Sequence, residues 1–282
     1  IRALAVTTLS LALLLPARAD FNSDAREVFT ANAPSVFGVR GLLEISATMN
    51  GQPAGGQERP VWSNASVIDD GLLVAAYQSL KPDVSAGIGK RPGLEIATEL
   101  SELKLIDAGG EEYDAKLVLH DESLGLAFIA LDPAGENIGD FQAKPFDVSK
   151  DVDVQHLDEV IGIGRLPENM RFQAQVKKGT VTAIVERPRK LVHVAGVSPS
   201  TPAFDQSGGL IGFIVVPKAK EGTPPVSVLL PSKYVRKLVG QAKEKQSALS
   251  AEPEEDEEDE AGEEDEAGEE DQESEDTEDT DG

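Results

Sequence analysis

Between Ser35 and Leu230 the chain is broken into short apolar runs, and this punctuation limits the fold more than any other feature. The runs are Val36–Val39, Leu72–Ala76, Lys116–Leu119, Glu159–Ile163, Gly179–Val185 and Leu210–Val216, separated by Gly, Pro, Asp and Asn. Each is too short for a helix of ordinary length. Many short β-branched runs between turn residues predict an all-β sandwich or barrel. No glycine-rich turn leads from a strand into a helix, so nothing suggests a nucleotide cradle or any other cofactor. About 200 residues suffice for two small barrels. The chain has no cysteine, which excludes disulfides, a cysteine nucleophile and thiolate zinc sites.

The ends read differently. Arg2, an apolar run from Ala3 to Leu15 and Pro16-Ala17-Arg18-Ala19 form the pattern of a secretory signal peptide cut after Ala19. The run is shorter than the ~20 apolar residues needed to span a bilayer, so no transmembrane segment is expected after cleavage. The expected location is periplasmic or extracellular. Residues 22 to 33 predict a short amphipathic helix capped by Asn22 or Ser23. A second helix is predicted from Pro231, with Tyr234, Val235, Leu238 and Val239 on one face, and is expected to pack on the second barrel.

The charge of −25 comes from 51 acidic and 26 basic residues, and 21 of the acids stand in 252–282. The rest of the chain is near balance and has no basic face for nucleic acid. The hexapeptide Glu-Glu-Asp-Glu-Ala-Gly occurs at 257–262 and again at 263–268. Such a tract buries no apolar area to offset its chain entropy and is expected to be disordered. It suits a basic partner or weak cation binding, but lacks the ligand spacing of an EF-hand. The expected organisation is a signal peptide at 1–19, a helical segment at 20–34, a body at 35–246 and a disordered tail at 247–282. Within the body, barrel one spans about 35–135 and barrel two about 150–230.

Four segments in order resemble the trypsin-like serine proteases, in particular the HtrA-like ones. Ser66-Val67-Ile68-Asp69-Asp70-Gly71-Leu72-Leu73-Val74-Ala75-Ala76-Tyr77 is similar to the strand-turn-strand ending at the catalytic His, and Tyr77 stands there. Leu124-Gly125-Leu126-Ala127 resembles the Asp-Leu-Ala strand, with Gly125 at the Asp. Asp158–Gly164 resembles the opening strand of the second barrel. Ser198-Pro199-Ser200-Thr201-Pro202 resembles the Asn-Ser-Gly-Gly-Pro loop, with Pro199 at the nucleophile. The resemblance implies two packed antiparallel β-barrels. HtrA-like proteins usually carry a PDZ-like domain after the closing helix; here the acidic tract stands after the predicted closing helix instead.

It also implies that the chemistry is absent. Serine proteolysis needs a base, a group to orient it, a nucleophile and oxyanion donors. A phenol with an ordinary pKa of about 10 is no base at neutral pH. Gly125 has no side chain. Pro199 has neither hydroxyl nor N–H, and Ser200 and Thr201 replace the glycines that shape the oxyanion loop. A rescue would take Ser198 or Ser200 as nucleophile and, as base, His193, the nearest in the chain, or else His120 or His156. Asp121 and Glu122 read as solvated turn residues. Trp62 packs over the first barrel or lines a groove, and Arg187, Arg189 and Lys190 form a hairpin tip. The expected function is an exported pseudoprotease that binds a protein or peptide through its cleft or strand edges. The alternatives are an active endopeptidase with a relocated triad, or a structural envelope protein.

Overall fold

A computed structural model describes residues 20–84, 91–220 and 222–251. The expected signal peptide and nearly all of the expected tail lie outside the described residues. Helix α1 spans Phe21–Asn32. Six strands follow: β1 (Val36–Met49), β2 (Gln52–Asp69), β3 (Leu72–Ala76), β4 (Leu94–Ile106), β5 (Glu112–Asp121) and β6 (Leu126–Leu131), with a one-turn helix α2 (Tyr77–Leu80) after β3. The second set is β7 (Glu159–Arg165), β8 (Ala174–Val185), β9 (Leu191–Ala195), β10 (Pro202–Phe204), β11 (Leu210–Val215) and β12 (Val228–Pro231). Helix α3 (Ser232–Leu249) closes the order.

The strands form two closed antiparallel barrels, β1-β2-β3-β6-β5-β4 and β7-β8-β9-β12-β11-β10. The two orders are the same: the first three strands meander, and the last three return in reverse. This repeated topology is the trypsin-like double barrel that the resemblance implied. It is hidden in the sequence because the two sets share topology rather than residues.

Burial explains why the central runs lack alternation. Leu72, Val74 and Ala76 on β3 and Leu126, Phe128 and Ala130 on β6 face a core shared with Ile161, Ile163, Phe204 and Phe213 of the second barrel. Their neighbours Leu73, Ala75, Ala127 and Ile129 fill the first barrel. Val160, Val181, Val192, Ile211 and Ile214 fill the second. A strand buried on both faces reads as a continuous apolar run. Each buried Leu, Ile or Phe contributes roughly 1.5–3 kcal/mol.

Three local expectations are corrected. The cap of α1 is Asp20, whose carboxylate accepts the N–H of Asn22, not Asn22 or Ser23. An acceptor one residue before the first turn reaches the free N–H groups better than a residue already in it. Helix α3 was expected on the second barrel, yet it ties both. Tyr234 Oη accepts the N–H of Lys190 on the β8–β9 hairpin at 3.0 Å, while Lys243 pairs with Asp69 at 3.0 Å and Gln246 donates to Asp70 O on the first barrel; Arg236 donates to Val148 O between the barrels at 3.0 Å. The helix also runs to Leu249, beyond the expected boundary at 246. Among the described residues no helix is long and apolar enough to cross a membrane.

Arg165 fastens the first barrel to the second. Its side chain is 3% exposed and donates to Phe172 O at 3.0 Å, Ala33 O at 3.2 Å and Val36 O. Burial pulls its pKa below the ordinary arginine value. Its backbone N–H donates to Asn64 Oδ1 of β2 at 2.9 Å.

Candidate functional site

The residues at the expected triad positions lie within one hydrogen-bonded constellation at the junction of the barrels. Tyr77 begins α2 directly after β3, and its N–H donates to Gly125 O at 2.9 Å. One residue earlier, Ala76 N–H donates to Ser200 Oγ at 2.9 Å. Ser63 of β2 reaches the same Ser200 hydroxyl at 2.8 Å. Pro199 is the neighbour of Ser200. Short β3 and the 196–201 loop therefore bring 77, 125 and 199 together through main chain and one serine, with no triad side chain involved.

Ser200 is 4% exposed and left-handed, with φ 59°. Its N–H donates to Ile214 O at 2.7 Å, and Ile214 N–H returns to Thr201 O at 2.9 Å. The loop is thus held in a conformation that favours glycine, and the serine side chain offsets that cost by accepting two buried donors.

Gly125 is a contact point of a different kind. Its φ is 73°, and a Cβ there would lie 2.5 Å from Val216 O and 2.8 Å from Pro217 N. The backbone after β11 occupies the space that a side chain at 125 would need. Lys218 reinforces this seal: its N–H donates to Glu122 O at 2.9 Å and its ammonium pairs with the Glu122 carboxylate. Asp121 accepts the N–H of Leu124 at 3.0 Å and the hydroxyl of Ser123. So Asp121 builds the turn, and Glu122 has a fixed partner instead of facing solvent alone.

Tyr77 is 5% exposed. Its ring stacks on His120 of β5, 4.5 Å between centroids and 6° between planes. Burial pushes its phenol above the ordinary tyrosine value; the Glu122 charge adds to this and Lys218 opposes it. The phenol is therefore still further from acting as a base than composition alone implied.

The rescue residues are held by other partners. Ser198 Oγ accepts from Lys177 Nζ of β8 at 2.7 Å. His193 sits on β9 opposite Ala183, with Nδ1 2.5 Å from Thr182 Oγ1. Among the described residues no hydrogen bond joins His193 to Ser198 or Ser200. The histidine that reaches the constellation is His120, and it meets a tyrosine ring rather than a serine. Sequence spacing favoured His193 because it is nearest in the chain; barrel closure sends its side chain to a sheet face instead.

The remaining candidates resolve simply. Trp62 stacks on Phe172, 5.3 Å between centroids and 26° between planes, and covers Gly38. It packs between β1 and the loop after β7. Arg187 and Arg189 lie on the β8–β9 hairpin, while Lys190 pairs with Asp153 at 2.9 Å. Among the described residues no group of three or more His, Asp or Glu is arranged to hold a metal. Sequence reasoning missed Lys177, Lys218 and Ser63. None carries a local motif, and only pairing across strands brings each to its partner.

No protein-family model matches the chain, and no curated protein matches it. Solved structures do. One, titled "Crystal structure of Deg5", aligns at 16% identity with a TM-score of 0.48, covering 77% of this chain and 92% of that one. The fold assignment rests on the strand order of the two barrels.

Proposed function

We propose that the protein is an exported, non-catalytic double-barrel protein that binds a protein or peptide partner. The observation that carries this reading is the use made of Ser200. It is one of the two serines that flank the nucleophile position, and it serves as acceptor for Ala76 N–H and Ser63 at the barrel junction. An attacking serine needs a base beside it and an open approach. Ser200 has neither a hydrogen-bonded base nor exposure. Its replacement of a glycine, the proline before it and the backbone packed on Gly125 together make this junction a structural joint. Export is proposed from the basic, apolar and Ala-x-Ala pattern of residues 1–19.

The test is labelling of the purified protein with a fluorophosphonate probe, together with casein hydrolysis. No labelling and no cleavage are expected. Stoichiometric labelling lost on Ser198→Ala, Ser200→Ala or His193→Ala would overturn the reading in favour of a relocated triad. N-terminal sequencing of the protein from an envelope fraction tests export, with a start at Asp20 expected.

A further inference from the structure

The first barrel continues past its closure as a three-stranded sheet with β1 in the middle. β1 pairs with β2 from Val36↔Ser66 to Met49↔Gln52, and with β4 from Gly38↔Ile106 to Met49↔Leu94. β2 meets β3 only from Ser66 onward, and β4 meets β5 only from Lys104 onward. Among the described residues no further strand pairs with either outer edge of the sheet: Gln52–Pro60 on β2, and Glu95–Ser101 on β4. Among the described residues no backbone hydrogen bond leaves the β4 edge over that stretch.

The two edges are built differently. The β2 edge carries Pro53, Pro60 and the adjacent Gly55 and Gly56, with Gly55 at φ 140°. Proline and glycine are the ordinary guards against edge pairing. The β4 edge reads Glu-Ile-Ala-Thr-Glu-Leu-Ser over 95–101 and has neither; it ends at the register shift opposite Arg40 and Leu42, where Glu102 has φ 49°. It borders a cleft of about 590 Å³ lined in part by Leu100, Leu103, Ala115 and Leu117, where β4 and β5 diverge.

The side chains specify what fits. On the packed face Ile96 and Leu100 join Leu43, Ile45 and Val61 in a small core. On the exposed face Glu58, Glu44 and Glu99 stand directly opposite one another across the three strands. Among the described residues no cation pairs with any of the three. Like charges directly opposite are unfavourable, and the position next in that row, beyond β4, would best hold a cation. Glu95 lies on the same face four residues before Glu99.

We propose that the Glu95–Ser101 edge of β4 receives an extended peptide by strand addition. That peptide is apolar on one face and carries Lys or Arg four residues apart on the other. This rests on the binding-module reading and names its surface and partner class. A second copy of this edge would bring glutamates and no cation to the exposed face, so self-pairing is disfavoured.

The test uses the full chain and a fluorescent heptapeptide, Val-Lys-Val-Thr-Val-Lys-Val, read by anisotropy. Binding is expected, and the counterpart with Glu in place of Lys should bind at least ~10-fold more weakly, a difference of about 1.4 kcal/mol. In the Glu95→Lys/Glu99→Lys variant, both exposed positions, the preference should reverse. N-methylation of alternate peptide amides should abolish binding, because strand addition uses main-chain hydrogen bonds. Absence of binding would overturn the assignment. So would binding unchanged by the double substitution and by N-methylation, which would place the lysines on the acidic segment 252–282. Mass spectrometry of the recovered peptide separates the two readings: cleavage would sink the non-catalytic reading, while the edge assignment stands or falls on anisotropy alone.

Discussion

Ser200 accepts the backbone N–H of Ala76 at 2.9 Å across the junction of the two barrels. Both groups are buried, and the Ser63 hydroxyl shares the same acceptor. An unmet buried donor costs about 1–3 kcal/mol. Ser200→Ala leaves Ala76 N–H without its acceptor and keeps a Cβ at positive φ, so it should cost roughly 2–3 kcal/mol. Ser200→Gly loses the same acceptor but relieves the backbone, and should be milder by about 1 kcal/mol. Urea midpoints at constant slope would check the order. Equal midpoints for the two variants would mean that the backbone strain is not felt.

Gly125 cannot be replaced by aspartate without cost. The new Cβ would overlap the Val216 carbonyl at 2.5 Å, and the φ of 73° disfavours any side chain. Gly125→Asp and Gly125→Ala should both cost more than about 3 kcal/mol, seen as a large fall in thermal midpoint. A midpoint within a degree or two of the parent would show that the Val216–Pro217 segment moves aside easily.

Arg165 supplies donors to three backbone carbonyls. Arg165→Met keeps much of the apolar contact and strands those acceptors, so a loss of about 3 kcal/mol is expected. Arg165→Lys retains the charge but not the planar fork, and should fall between the two. Calorimetry on both variants would check the ranking.

Alkaline titration reads the Tyr77 environment. Burial and Glu122 raise the Tyr77 phenol, so the folded state holds its proton longer than the unfolded state does. That contribution to stability is intact below the ordinary tyrosine pKa of about 10. It is lost as pH rises from there through the folded value. Absorbance of the phenolate, compared with Tyr77→Phe, should place the Tyr77 step above the ordinary value. A step at or below it would mean that the ring is more exposed than the stack on His120 implies.

The sequence by itself determined the all-β class, the short strands and the identity of the residues at 77, 125 and 199. Those follow from local facts: runs bounded by turn residues, and side chains that either have or lack a function. Uninterrupted runs such as Leu72–Ala76 already signalled burial on both faces, because alternation disappears when neither face meets water. The expectation that a phenol, a glycine and a proline do no triad chemistry also came from the sequence, through the resemblance. Only the tertiary structure decided what these positions do instead. Barrel closure set Val216 against Gly125, turned Ser200 into the acceptor of Ala76, stacked Tyr77 on His120 and sent His193 to Thr182. It also aligned Glu58, Glu44 and Glu99, three residues far apart in the chain, and left one sheet edge guarded and the other open. Contacts of that kind depend on strand register and closure, which no local periodicity encodes.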